Sequence, residues 1–240
     1  MTLLMAIACA GISACGNDDD YTANVSMLNN KADSLTDHQL IYKVTSKGEA
    51  EVVGTQTENA SITLPTCIKY NGNTYRITKI NGDAFRDNKS LCSIKISGSV
   101  TSLPEDVFSG CINLTSITIP SSVTIIGADA FSHCSSLSNV TLPNKLTTIG
   151  MFAFQKCKSM TTITIPSSLV YIGDGAFWNC SSLKDIYMKV TVPPEIITIH
   201  NLFDRRLGPE CWATLHIPTN SKQVYKRVIP WNLFNVIVED

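Results

Sequence analysis

Nine cysteines and four histidines give this 240-residue chain its widest chemical options. Cys111, Cys134, Cys157 and Cys180 stand 23 residues apart. A metal site draws cysteines or histidines together at short spacing, as in C-x-x-C. No such pair occurs, and His38, His133, His200 and His216 are scattered. The four spaced thiols instead suggest one row. Adjacent Cα atoms in a ladder lie about 5 Å apart, inside the disulfide window, but parallel side chains point the wrong way for a bridge. Buried free thiols, packing as small hydrophobes, are therefore expected. Cys67, Cys92 and Cys211 have no assignable partner.

Catalytic patterns are also missing. The sequence holds no G-x-S-x-G, H-E-x-x-H, P-loop or dinucleotide fingerprint. Glycosidase chemistry needs two carboxylates across one cleft, whereas Asp106 and Asp129 fall on turns of successive units as solvated corners. The expectation is a chain with no catalytic residues, no metal and no cofactor. A net charge of 19 − 20 = −1 argues against nucleic acid. Charged residues make up only 16%, and Ser and Thr supply 48 residues, the composition of a hydroxyl-rich β protein.

The amino terminus carries a different signal. Leu3 to Ile12 is apolar but too short to span a bilayer. Ile12-Ser13-Ala14-Cys15 follows, then Gly16-Asn17 and three aspartates. Small residues before a cysteine resemble the bacterial lipobox, and the acidic run resembles the surface-export tag of Bacteroidetes lipoproteins. No Lys or Arg precedes the apolar stretch, a departure from the usual basic start. The expectation is a signal peptide over 1–14, diacylation at Cys15, and a polar flexible tether over 15–37.

The elements that must position everything else repeat. Phe85, Phe108, Phe131, Phe154 and Phe177 keep the spacing of 23, as do Leu91, Leu114, Leu137, Met160 and Leu183. In the unit LTSITIPSSVTIIGADAFSHCSS, Ile117 and Ile119 alternate with Ser116 and Thr118, the period of a half-buried strand. Pro120 stops that strand. Val123 and Ile126 point inward on a return path, and Gly127, Gly150 and Gly173 make corners. One such coil cannot bury its apolar face, but a stack makes a continuous core.

That pattern resembles the BspA-like leucine-rich repeats of bacterial surface proteins, over residues 61–192. Thr214 to Pro218, Val224-Tyr225-Lys226 and Trp231 to Phe234 are similar to the cap ending many members. Aligning strand centres at Ile62, Ile94, Ile117, Val140, Ile163, Ile186 and Leu215 predicts a right-handed parallel β-solenoid of about seven coils. Leu40–Val44 and Ala50–Gly54 predict a capping hairpin, and Asn71-Gly72 a second tight turn. Ser221–Val228 predicts a short helix ended by Pro230. The expected organisation is a cap with first coil over 38–76, the solenoid over 77–192, and a closing coil over 193–240.

Candidate binding residues are those that break the repeat. An outward row reads Thr63, Lys95, Thr118, Thr141, Thr164, Tyr187, His216, and its neighbour ends in Asp185 and Thr214. Lys95, Asp185, Tyr187 and His216 are therefore candidate ligand contacts on the expected concave face. On the opposite edge, Met151 and Phe152 replace Ala128 and Asp129, and Trp178 replaces Ser132 two units on. The resemblance implies adhesion to a host or partner-cell surface or extracellular-matrix protein, by a monomer anchored in the outer membrane and exposed at the cell surface. A glycan-binding lipoprotein of a polysaccharide-uptake system and a passive spacer are the alternatives.

Overall fold

The computed structural model describes residues 22–24, 26–27, 35–36, 40–45, 48–55, 60–196, 202 and 211–240. The signal expected over 1–14 and the anchor Cys15 lie outside these residues. Among those described, no helix is long and apolar enough to cross a membrane.

One coil explains the rest. Ser116–Thr118 is a strand with Ile117 buried and both neighbours exposed. It pairs in parallel with Ser93–Lys95 before it and Asn139–Val140 after it, each residue facing its equivalent 23 positions away. Stacked strands of this kind form a four-stranded sheet from Ser61–Thr63 to Asn139–Val140. A second four-stranded sheet continues from Thr162–Ile165 through Asp185–Met188 and Cys211–Ile217 to Phe234–Glu239. All pairs are parallel, as the repeat predicts.

Two features go beyond the sequence expectation. The return path is itself a parallel sheet, built from Ser102–Leu103, Ile125–Ile126, Thr148–Ile149, Tyr171–Ile172 and Glu195–Ile196. Strands of two residues are too short to show a period. The last strand, Phe234–Glu239, adds a further layer beyond Leu215.

Hydrogen bonds tie the coils in both directions. At the corners, Gly127 donates to Leu103 at 2.8 Å, Gly150 to Ile126 at 2.8 Å and Gly173 to Ile149 at 2.7 Å, always to the preceding coil. In the A-F turn the sense reverses: Phe108 donates to Ala130 at 2.9 Å and Phe131 to Ala153 at 2.7 Å, in the following coil. Hydroxyls add a third set. Ser122 Oγ donates to the Val100 carbonyl and Ser168 Oγ to that of Leu146, both at 2.6 Å, while Thr147 Oγ1 reaches Thr124 at 3.0 Å. The two serine bonds satisfy carbonyls in irregular backbone, which would otherwise cost free energy where water is excluded, whereas the Thr124 carbonyl already accepts the Thr147 amide at 2.8 Å. The abundance of Ser and Thr thus has a structural use.

Inside, Phe85, Phe108, Phe131, Phe154 and Phe177 form one stack, with centroids 5.1–5.6 Å apart and planes within 18° of parallel. Each stacked pair contributes about 0.5–1.5 kcal/mol beyond burial. Beside it runs the cysteine row, buried and unbridged as the spacing predicts. Each thiol also donates to a carbonyl of the preceding coil: Cys111 to Phe85 at 3.0 Å, Cys134 to Phe108 at 3.1 Å, Cys157 to Phe131 at 3.3 Å and Cys180 to Phe154 at 3.0 Å. The residue is therefore more than an apolar filler. Cys92 is also free, whereas Cys67 is disulfide-bonded.

Caps close both ends. Leu40–Val44 pairs antiparallel with Glu49–Thr55, the expected hairpin. Asn71 and Gly72, both at positive φ, turn Cys67–Tyr70 into Asn73–Ile80. Within the stretch expected to be a tether, Thr22–Asn24 pairs with Cys67–Tyr70 and Leu35–Thr36 with Leu40–Val44. The open edges of the cap sheet offer unpaired backbone to these short polar segments. At the other end the helix is shorter than expected, Lys222–Tyr225. Ile229-Pro230 is cis. Trp231, 1% exposed, plugs the coil between Tyr225 and Phe234. Tyr225 Oη donates to Val190 at 2.7 Å and so ties the cap to the coil before it.

Candidate binding site at the end of the sheet

Apart from Lys95 and Asn139, the face of the sheet is a ladder of small hydroxyls until its last three strands. In Asp185–Met188, Ile186 and Met188 are buried, so Asp185 and Tyr187 face outward. Register places Tyr187 between Thr164 and His216, and His216 beside Val238 of the final strand. The Tyr187 and His216 rings stack at 4.3 Å with planes 20° apart. His216 Nε2 lies 3.1 Å from Asp185 Oδ1 and Nδ1 lies 2.8 Å from Asp240 Oδ2. Asp185, Tyr187 and His216, which break the hydroxyl ladder at this end, are one unit.

Asp240 arrives because the final strand runs parallel to Cys211–Ile217, with Glu239 opposite Ile217. Its amide donates to the Ile217 carbonyl at 3.0 Å, and its own carbonyl accepts from Thr219 Oγ1 at 3.0 Å. A cavity of about 260 Å³ opens beside the stacked rings, lined by Tyr187, Met188, Lys189, His216, Pro218 and Asp240 among others. Asp240 and Lys189 were not among the residues expected from sequence. The signal was available: Val236-Ile237-Val238 is a β-branched run that predicts a strand.

The other candidates do not join this cluster. Lys95 is exposed in Ser93–Lys95, between Thr63 and Thr118, four coils before Tyr187. At about 4.8 Å per strand that is roughly 19 Å, too far to share one small ligand.

On the opposite edge the replaced residues have structural partners. Phe152 stands at φ 52°, in a row of left-handed residues with Asp106, Asp129 and Gly175. Aspartate tolerates that conformation and phenylalanine rarely does. The Phe152 ring packs over Gly175, where any side chain would collide with it, and Phe152 is half-buried as a result. Met151 is 46% exposed. Trp178 is half-buried, with the Lys156 ammonium 5.9 Å from its ring, while Lys156 Nζ also lies 3.1 Å from His133 Nε2. These contacts hold the edge together.

The acidic corner is likewise held. Burial pushes the Asp129 carboxyl above its ordinary value; hydrogen bonding to Ser132 opposes this, and the charges of Asp106 and Glu105 add to it. Asp106 is paired with Arg86 at 3.2 Å. Among the described residues no group of three His, Cys, Asp or Glu side chains is placed to hold a metal ion.

Comparison with known proteins follows the same repeat. Residues 78–200 match the family model described as BspA type leucine rich repeat region, in six copies. The chain belongs to the BspA-type leucine-rich repeat family. A crystal structure of a leucine-rich repeat protein from Bacteroides ovatus is 32% identical, with a TM-score of 0.65 over 76% of this chain. The match covers 46% of that protein, so this BspA-type chain spans under half its length. The T. pallidum leucine rich repeat protein is 19% identical with a TM-score of 0.55, over 78% of this chain and 92% of that one. At that identity the likeness concerns fold alone. No curated protein matches the chain in sequence. What family and fold give this chain is a leucine-rich repeat scaffold.

Proposed function

We propose that the chain is a non-catalytic lipoprotein, anchored through Cys15 to the outer membrane and exposed at the cell surface. There it binds a protein of a host or partner cell. The observation that carries the reading is the end of the hydroxyl ladder, where Asp185, Tyr187 and His216 replace small residues and meet Asp240 beside a cavity. A rigid aromatic with a polar tip is what a protein hot spot uses.

The test is a protein and glycan array probed with the soluble chain, followed by titration of the strongest binder. Tyr187→Ala is expected to weaken binding by roughly 1–2 kcal/mol, or five- to thirtyfold. Thr141→Ala, within the regular ladder, should leave affinity unchanged. Thr141→Ala should keep the parent melting temperature to within a degree or two, because cross-strand pairs contribute roughly 0.2–1 kcal/mol. Tyr187→Ala also loses its stack on His216, about 0.5–1.5 kcal/mol, and should melt a few degrees lower while staying folded. Binding confined to glycans moves the protein to the uptake-system alternative. Loss of binding in Trp178→Ala but not in Tyr187→Ala moves the site to the opposite edge.

The anchor has its own test. Cells supplied with labelled fatty acid should acylate the unaltered protein, and Cys15→Ala should abolish the label and release the chain from the membrane fraction. Absence of label on the unaltered protein removes the anchor from the proposal.

A further inference from the structure

His216 has two bonds where a neutral imidazole can donate only one. Both ring nitrogens face carboxylate oxygens, Asp185 at 3.1 Å and Asp240 at 2.8 Å. A carboxylate only accepts, and the neutral ring carries a single N–H. Both bonds are therefore satisfied together only by imidazolium. The side chain is 18% exposed and Tyr187 covers one ring face, so geometry and not open solvent decides which partners the ring keeps.

We infer that His216 is a proton-operated latch on the last strand. In the protonated form it joins Asp185, on one strand, to Asp240, at the end of the strand two places along the sheet. Loss of the proton leaves one carboxylate facing a lone pair, and the more exposed partner is Asp240, at 54% against 34% for Asp185. Among the described residues Phe234–Glu239 is the edge strand of its sheet, and the Asp240 carboxylate, the more exposed of the two, is the one released from the ring.

The charged surroundings are few. Asp185 and Tyr187 face the ring from one side and Asp240 from the other, while Lys189 lines the same cavity. Glu239 is turned away, accepting from the Lys222 amide at 2.9 Å. Because Asp240 and His216 both line the cavity, release also reshapes the proposed binding site and exposes a carboxylate beside Tyr187. Acid thus closes the site by pairing both carboxylates internally, and neutral pH presents the freed Asp240 carboxylate to a partner's basic side chain. The inference deepens the binding reading above, but its test uses no ligand, so the two can fail separately.

The test is hydrogen–deuterium exchange of amides in Phe234–Glu239 of the full chain across about pH 5 to 8, where imidazoles titrate, corrected for the intrinsic exchange rate. Protection should rise about two- to fivefold at the acid end, the equilibrium effect of a partly exposed ion pair. His216→Gln and Asp240→Asn should each flatten that profile while leaving the protection of Ser116–Thr118 unchanged. Nitrogen shifts of the His216 ring should report both nitrogens protonated wherever the strand is protected. A flat profile in the unaltered chain, or the same profile in His216→Gln, overturns the latch. Should either variant lose global structure, the ring shifts of the unaltered chain still decide: a singly protonated ring in the protected state overturns it.

Discussion

Gly150→Ala is expected to lower the melting temperature by ~6–12 °C, one of the two largest effects foreseen for this protein. At Gly150 a methyl group would stand 2.5 Å from the Gly127 carbonyl carbon and closer still to the Ala128 nitrogen. Both obstacles are backbone of the preceding coil, so neither can rotate away. The coils must part, and parting them stretches the Gly150 to Ile126 bond of 2.8 Å. Overpacking and the weakened bond together cost about 3 kcal/mol. Gly98 supplies the control, because a methyl there meets nothing within 4 Å. Gly98→Ala should be neutral, or stabilising by up to about 1 kcal/mol through the unfolded chain. Thermal melts of the two variants side by side check the contrast, and equal melting temperatures would refute the close-approach account.

The second large effect is alkaline unfolding. Burial pushes the Cys111 and Cys180 thiols up to about 12 and raises those of Cys134 and Cys157 well above their ordinary value, with neighbouring cysteines adding to the last two. A raised folded pKa means that the thiols' contribution is fully present below the unfolded pKa, near 9. It is lost as pH climbs from there toward 12. Four thiols releasing protons only on unfolding give a slope of up to about 5 kcal/mol per pH unit. Against a total stability of about 5–15 kcal/mol, the solenoid should unfold within roughly three units above pH 9. Urea titrations under reducing conditions from about pH 7 to 11 measure the slope. Each Cys→Ala replacement along the row should remove about a quarter of it, and an unchanged slope in Cys134→Ala would contradict the proton count.

Much of this architecture was legible because the repeat imposes one answer many times. Ile117 between Ser116 and Thr118, Pro120 after them and Phe131 every 23 residues fix strand, stop and stack in each unit. What escaped was short or aperiodic. Ile125–Ile126 is a strand of two residues, and two residues carry no alternation. The Phe234–Glu239 strand lies outside the repeat, so Asp240 was not placed beside His216 until the chain was folded. The cluster of Asp185, Tyr187 and His216 was readable as a break in a row, since register alone brings those positions together. Its pairing was not, because it depends on the cap. The same gap explains an expectation that changes. From sequence, His216 is a candidate ligand contact with its ring free for a partner. Its two nitrogens are instead occupied by the protein's own carboxylates.

The corner, turn and hydroxyl bonds between coils share one further property: each links a residue to another about one unit away. A block of 23 residues removed between equivalent positions brings together two surfaces that already fit their neighbours. Length is therefore an integer variable for this molecule, adjustable by recombination without inventing a single new contact. Each unit gained or lost moves the terminal cluster by one strand spacing, about 4.8 Å, relative to the amino-terminal cap. Lys95 and Tyr187, four units apart, are two marks on such a ruler, and a lineage can change the distance between them while preserving the chemistry at both.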